Sequence, residues 1–320
     1  MSEDRQHYTP FADLRIGLIL PNKGRGSDGE SLDAGAAAAA TLGWNSVWVT
    51  DHLMVPDGPE AGEYGWILEA LTALTWVGAR HERLVVGTSV VVPAMRDAPL
   101  LAKQLATLDV LTGGRLIVGV GVSDADDLPE YRNMGKEERF RRRGPYLDET
   151  IALWRHLWSG ATDPFEGEFH QLGDYVFQPL PVQGVGLPVW CGGRSERALR
   201  RTATLADGYH AAQTGPQDVA DRLPRLAELT HEAGRPLPTV SVRARVFFDD
   251  RERSVYTIHG DADAMIAQLL GFARVGTEEL IVVFDATDAG EIEKLCRRFD
   301  EDVVQPFRDR VAAGALDEPA

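Results

Sequence analysis

The stretch from Leu84 to Asp124, LVVGTSVVVPAMRDAPLLAKQLATLDVLTGGRLIVGVGVSD, limits what this chain can fold into more than any other. It holds two apolar runs rich in Val, Leu and Ile, joined by a segment of helix length. Each run lacks polar alternation and is bounded by Gly or Pro, which is the pattern of a strand buried on both faces. Between them Leu101, Leu105, Leu108 and Leu111 recur at helical spacing, with Lys103, Gln104 and Asp109 largely on other faces. Gly113 and Gly114 stop the helix and turn the chain back. The unit is βαβ, and a right-handed crossover makes its strands parallel.

The same rhythm runs through most of the chain. Arg15 to Leu20 is a short apolar strand closed by Pro21, followed by the loop NKGRGSDGE and a helix expected to start near Ser31, Leu32 and Asp33, with Ala36 to Ala40 as a tightly packed face. Gly43 caps that helix, and Trp44 to Thr50 forms a second buried strand ending at Asp51 and His52. Ile67, Ala70, Leu71, Leu74 and Val77 predict a helix over Trp66–Ala79. Residues 123–143 break the rhythm and read as a polar insertion carrying Arg139, Arg141, Arg142 and Arg143. A helix resumes near Pro145, and 163–181, with aromatics alternating around Gly, reads as a hairpin outside the main sheet. A strand at Leu187–Cys191 then leads into helix 195–205, strand 207–212, helix 216–233, strand 239–248, helix 261–275, strand 279–284 and helix 290–313.

Eight strand-helix pairs of this kind fit a closed parallel barrel better than an open sheet, so the predicted fold is α/β, a (β/α)8 TIM barrel with insertions after the fourth strand and before the fifth. A single domain over 1–320 is expected, with 1–14 as an N-terminal extension and 314–320 as a tail. A chain of 320 residues that is 44% hydrophobic can fill one such core. The formal charge of −16 argues against a nucleic-acid surface, which needs clustered cations. Cys191 and Cys296 are far apart without metal-ligand spacing, which argues against a zinc site and a disulfide framework. No run approaches the roughly 20 apolar residues of a membrane span, and no signal segment precedes Ile16, so a cytoplasmic protein with no membrane partner is expected.

In such barrels chemistry sits where strands end, which nominates Asn22, Asp51, His52, Gly121 to Asp124, Gly192 to Ser195, Gln213, Phe247 and Asp285. Gly192-Gly193-Arg194-Ser195 lies between strand and helix, where bare N–H groups, a cation and a helix start suit a phosphate; a tight turn with Ser195 as cap explains the same residues equally well. Asp51-His52 puts an acceptor and a titratable imidazole at the mouth, either as an acid/base pair or as structural groups. Asp124 follows glycines that leave room for a flat ring, and otherwise is a loop aspartate. No strand ends in an HxH metal pattern, so no metal is expected.

WVTDHL, GTSVVVPAMRDAP, ATLDVLTGGRLIVGVG, Arg143-Gly144 with Leu147-Asp148-Glu149, FEGEF, PLPVQ, LPVWCGG and LADGYH occur in one order and together resemble the bacterial luciferase-like oxidoreductases over about residues 15 to 212. The TDH and GTSVVVP pieces are most similar to the branch that uses the deazaflavin coenzyme F420. That resemblance implies a TIM barrel binding a flavin or deazaflavin at the strand ends. Asp51 and His52 would contact the deazaflavin head, with His52 the acid/base. Ser89-Val90 would be a non-prolyl cis peptide behind the ring, Gly121 and Val122 would border it, and Cys191, Gly192, Gly193, Arg194 and Ser195 would hold the phosphate region. Asp124 falls where sugar-phosphate dehydrogenases of this branch carry a catalytic glutamate. Their substrate-phosphate lysines have no counterpart among Lys23, Lys103, Lys136 and Lys294, which argues against glucose 6-phosphate. Trp48, Val90 and Phe284 are candidate apolar walls, and 53–64 and 123–142 candidate covering loops. The Arg139–Arg143 run would meet the oligoglutamate tail of the cofactor or serve as a solvated helix start.

The functional expectation is an oxidoreductase moving a hydride between F420 and a small organic substrate. An FMN-dependent monooxygenase using reduced flavin and O2 is the alternative, and a non-catalytic flavin-binding relative the second. The resemblance also implies a homodimer and a flavin or F420 reductase as electron source.

Overall fold

The structure, a computed structural model, describes residues 7–316; the rest of the expected N-terminal extension and tail lies outside the described residues. Strands β1 (Arg15–Ile19), β2 (Ser46–Val49), β3 (Val85–Thr88), β4 (Leu116–Val120), β5 (Val189–Gly192), β6 (Gly208–Ala212), β7 (Thr239–Phe247) and β8 (Glu279–Val283) pair in parallel in sequence order. β8 also pairs with β1, from Arg15↔Glu279 to Leu18↔Val282, and the ring closes. The predicted TIM barrel is therefore the observed fold. Helices α1 (Gly29–Thr41), α2 (Ala70–Arg80), α3 (Ala98–Leu111), α4 (Arg143–Trp158), α5 (Glu196–Leu205), α6 (Pro216–Glu232), α7 (Ala262–Arg274) and α8 (Ala289–Phe299) surround it.

Local chemistry explains where the elements depart from expectation. α1 starts two residues before Ser31, because the Asp28 carboxylate accepts the Ser31 N–H (2.9 Å) while Ser31 Oγ accepts the Asp28 N–H (3.0 Å). α2 starts at Ala70 rather than Trp66. Its predicted first turn is held against the loop after β1 instead, where Leu68 N donates to Asn22 O (2.8 Å) and Trp66 Nε1 to Ser27 O (3.0 Å). Glu69 then caps the helix by accepting from Thr72 N. The helix predicted over 290–313 is three pieces: α8, a π turn at Asp300–Val304, and Gln305–Ala312. At that turn buried Asp300 accepts from Trp44 Nε1 (2.8 Å) and Gln305 Nε2 (3.0 Å). The insertion after β4 folds into a turn at Ala125–Asp127 and short helices at Leu128–Asn133 and Glu137–Phe140. The expected hairpin is Phe165–Glu166 against Gln171–Leu172, its bend held by Glu149 accepting from the N–H groups of Glu168, Phe169 and His170. A short strand at Thr257–His259, not foreseen, extends beside the end of β7.

Alternation along the strands sorts residues between two layers. Val47, Val49, Val118, Val120, Val189, Cys191, Val240, Val242, Leu280 and Val282 face the helices and form the large outer core. Ile19, Trp48, Trp190, Ile281 and Val283 face inward and fill the barrel. Two indoles fit because glycines lie opposite them: a Cβ on Gly87 would sit 2.3 Å from the Trp48 ring, and one on Gly208 the same distance from Trp190. Burying each indole stabilises the fold by about 4 to 6 kcal/mol from area alone.

The tightest point is Gly119 on β4, where an added Cβ would lie 1.9 Å from the Thr88 carbonyl oxygen. That oxygen belongs to backbone and cannot rotate away. Gly119→Ala is expected to lower unfolding free energy by about 1 to 3 kcal/mol, as overpacking does; urea unfolding with a midpoint equal to the parent would contradict this contact.

Candidate active site

The carboxyl ends of the strands surround a cavity of about 370 Å3, lined among others by Asp51, His52, Ser89, Val90, Gly121, Val122, Asp124, Gly192, Gly193, Arg194, Gln213 and Arg243. Most of the sequence-nominated residues therefore meet at one place. Their roles differ, because their hydrogen-bond partners differ.

Asp51 is not a free carboxylate. Arg96 grips it bidentately, with Nη1 to Oδ2 and Nη2 to Oδ1 both 2.6 Å, and Val92 N donates to Oδ2 at 3.1 Å. Burial opposes the charge on Arg96, yet Asp51 and Glu69 outweigh it and raise the guanidinium above its ordinary value. The pair ties the end of β2 to the turn after β3. Sequence reading missed Arg96 although it stands in the quoted motif, because nothing local shows that its partner lies 45 residues earlier.

His52 is held differently. Its Nδ1 lies 2.8 Å from Glu130 Oε2, while Glu130 Oε1 accepts the N–H groups of Leu53 (2.5 Å) and Met54 (3.0 Å). Nε2 has no protein partner among the described residues. Burial alone would lower the imidazole pKa, but the hydrogen bond and charge of Glu130, aided by Asp127 and Asp51, raise it above 6.5. Glu130 is correspondingly lowered despite its own burial, mainly through its bond to His52. Tyr64 closes one side of the imidazole, with ring centroids 4.2 Å apart. Glu130 and Tyr64 sit in the two loops expected to cover the mouth.

The Ser89-Val90 peptide is cis, with polar partners at Ser89 and an apolar contact at Val90. Ser89 O accepts Arg243 Nη1 at 2.8 Å, and Ser89 Oγ lies 2.8 Å from His210 Nε2. His210 bonds Ser241 Oγ through Nδ1 (2.8 Å) and stacks on Trp48 at 5.4 Å. Burial pushes its pKa down to about 3, so it is a neutral prop. Val90 packs so close to Gly121 that a Cβ there would lie 2.6 Å from Val90 Cγ2.

A second, larger groove of about 810 Å3 continues outward from Val122, Gly192 and Gly193. Arg141, Arg142, Arg143, Arg197 and Arg200 line it together with Ser195 at the start of α5. Arg142 pairs with Glu168 and Arg200 with Glu196, whereas Arg141 and Arg197 make no ion pair among the described residues. Gly193, at φ 120°, makes the bend, and Ser195 caps α5 by accepting from Ala198 N (3.2 Å).

Some nominated residues lie elsewhere. Cys191 alternates outward into the helix-facing core, is 1% exposed, and does not line the mouth; burial pushes its thiol up to about 12. Asn22 is fully buried and pins β1 to β2, donating to Thr50 O and Leu68 O and accepting from Thr50 N. Phe247 is covered by the Arg253 guanidinium. Asp124 reaches the cavity from an exposed lip. Of the candidate walls, Val90 borders the cavity, while Trp48 lies inside the barrel and Phe284 packs on Phe299. No helix of the described residues is long and apolar enough to cross a membrane.

Comparison with known proteins gives a consistent result. Residues 15–302 match the family described as luciferase-like monooxygenase. A protein named F420-dependent glucose-6-phosphate dehydrogenase from Nakamurella multipartita is 32% identical over 228 residues, 69% of this chain and 64% of its own length. One of the same name from Microbacterium testaceum is 34% identical over 230 residues, again 69% and 64%. This chain thus spans less than two thirds of those relatives. Among solved structures, an F420-dependent secondary alcohol dehydrogenase in complex with an F420-acetone adduct has a TM-score of 0.76 at 17% identity, covering 91% of this chain and 98% of that one. A type II Baeyer-Villiger monooxygenase from Pseudomonas putida in complex with FMN gives 0.72 at 14%, covering 91% and 99%. At such identities these two share the fold.

Replacing Arg96 with Gln leaves Asp51 buried without a countercharge. Such a break costs about 3 to 5 kcal/mol. Thermal unfolding of Arg96→Gln should show this loss, and an unchanged melting temperature would mean Asp51 finds another partner.

Proposed function

Because the chain belongs to the luciferase-like monooxygenase family, whose profile covers residues 15–302, we propose that it is an oxidoreductase transferring a hydride between coenzyme F420 and a small organic substrate. The observation that carries this reading is the continuous path from an apolar-backed mouth to an arginine-lined groove. A flat ring with a phosphate and an acidic tail needs those two environments in that order. The names of the sequence relatives support the deazaflavin over FMN.

The residues present fit the cofactor. Val90 and Gly121 offer a ring a close, side-chain-poor seat, since a Cβ at Gly121 would collide with Val90. Gly192 and Gly193 border both spaces, Arg194 lines the mouth beside them, and Arg141, Arg197 and Arg200 supply cations for the phosphate and tail. When bound, the deazaflavin supplies a hydride at ring carbon 5. What this chain contributes is orientation, exclusion of water and a proton. His52 lines the mouth, its Nε2 has no protein partner among the described residues, and it gives a proton to a substrate heteroatom, or takes one in the reverse direction. Glu130 orients the imidazole through Nδ1 and favours its charged form. Asp51, its carboxylate closed by Arg96, positions and does not transfer. Asp124, on the exposed lip, is the second candidate acid/base at the mouth. Reducing equivalents come from a separate reductase, and the protein acts as a homodimer.

Titration of the purified protein with F420 is expected to quench cofactor fluorescence saturably; tight FMN binding without an F420 quench would replace this reading by the flavin monooxygenase one. His52→Ala should lower kcat by about 100-fold or more while cofactor affinity changes little. Substrate reduction needs the imidazolium, so kcat should fall as pH rises through the His52 pKa, which lies above 6.5. A kcat profile identical in His52→Ala would remove His52 from the proton transfer.

A further inference from the structure

Beside the mouth lies another cavity of about 280 Å3, between the ends of β1, β7 and β8, lined by Lys23, Gly62, Glu63, Arg245, Val283 and Asp285 among others. Arg245 and Val283 border both spaces, so the two are contiguous. Lys23 Nζ and Arg245 Nη2 donate to the same atom, Glu63 Oε1. Their side chains are only 13% and 27% exposed. Arg243 stands two residues earlier on the same inward face of β7. Its donors reach Ser89 O (2.8 Å) and Thr50 Oγ1 (3.3 Å), and among the described residues it has no carboxylate partner.

Two cations thus share one carboxylate, and a third, Arg243, stands beside them with none. Asp285 lines the same cavity and Glu60 the mouth, but both are exposed at the rims. Burial, opposed by Glu63 and reinforced by the two arginines, brings Lys23 down to about 8. Burial likewise lowers Arg243. A partly buried cluster with uncompensated positive charge is stabilised by an anion, and arginine forks favour the planar or tetrahedral oxygens of carboxylate and phosphate. Lys23 also lies 4.5 Å over the Tyr64 ring, which packs in turn against His52. A group bound there therefore sits one aromatic ring from the candidate proton donor.

Resting on the hydride-transfer reading above, we propose that this cavity is the substrate subsite for an anionic group, a carboxylate or a phosphate, bound by Arg245 and Lys23 with Arg243 bordering the mouth. The substrate is then a small organic acid or phosphate ester whose reducible carbon lies over the mouth, and Glu63 holds the two cations in place until the anion arrives.

Calorimetric titration of the cofactor-free protein with benzoate and with inorganic phosphate tests this. Saturable binding of either is expected; benzoate alone identifies a carboxylate subsite, and phosphate alone a phosphate subsite. Lys23→Gln and Arg245→Gln should each weaken it by about tenfold, the loss of one charge-assisted hydrogen bond. Glu63→Gln removes the competing carboxylate and should tighten binding by about threefold, a gain that misfolding cannot mimic. Binding should persist with F420 bound. No saturable binding, full affinity in the Lys23→Gln/Arg245→Gln double variant, or mutual exclusion with F420 would overturn the subsite, the latter two assigning the anion to the outer groove or the cofactor seat. Since the titration needs no cofactor, benzoate binding without any F420 quench would retain the subsite and reject the deazaflavin.

Discussion

Two indoles packed over two glycines hold the barrel open to the right width, and the mouth is built on top of them. Trp48 over Gly87 and Trp190 over Gly208 occupy the interior that eight tilted strands would otherwise leave empty. Trp48 also connects the floor to the mouth. Its Nε1 donates to Ser46 Oγ (2.6 Å), which in turn donates to buried Glu279, and its ring supports His210, which braces Ser89. The platform beneath the mouth thus rests on interior packing, and a neutral histidine suits that position because a charged one would be buried without a countercharge.

Above this layer the site divides by charge. The β2–β4 side holds His52 with Glu130, Asp124 and Asp127, while the β7 side holds Arg243 and Arg245 with Lys23 and Glu63. The first arrangement raises the imidazole pKa through the hydrogen bond and charge of Glu130, and the second attracts negative charge. A polar, two-sided mouth suits the proposed reaction, in which hydride and proton reach different atoms of one substrate.

Much of this was legible in the sequence because it follows from local pattern. Buried strands without alternation, helices between them and glycine stops predict eight βα units, and their count predicts closure. Asp51, His52, Gly121 and the Gly192-Gly193 pair are nominated simply by standing where strands end. The same rule also nominated Asn22 and Phe247, which serve packing, because position at a strand end does not reveal what a side chain touches. Cys191 was carried along with its glycine neighbours, and strand parity turns it to the other side of the sheet.

By itself, the sequence determined the alternation of elements, the closed barrel and the rim on which chemistry gathers, since each depends on periodicity and on turn residues within about a dozen positions. Tertiary structure alone decided the partners: Arg96 for Asp51, Glu130 for His52, Ser89 for Arg243, and one shared carboxylate for Lys23 and Arg245. These pairs join residues 40 to 182 positions apart. Closing the sheet is what brings such separated charges within reach, and only that closure distinguishes a carboxylate gripped on both oxygens from an imidazole held through Nδ1 alone.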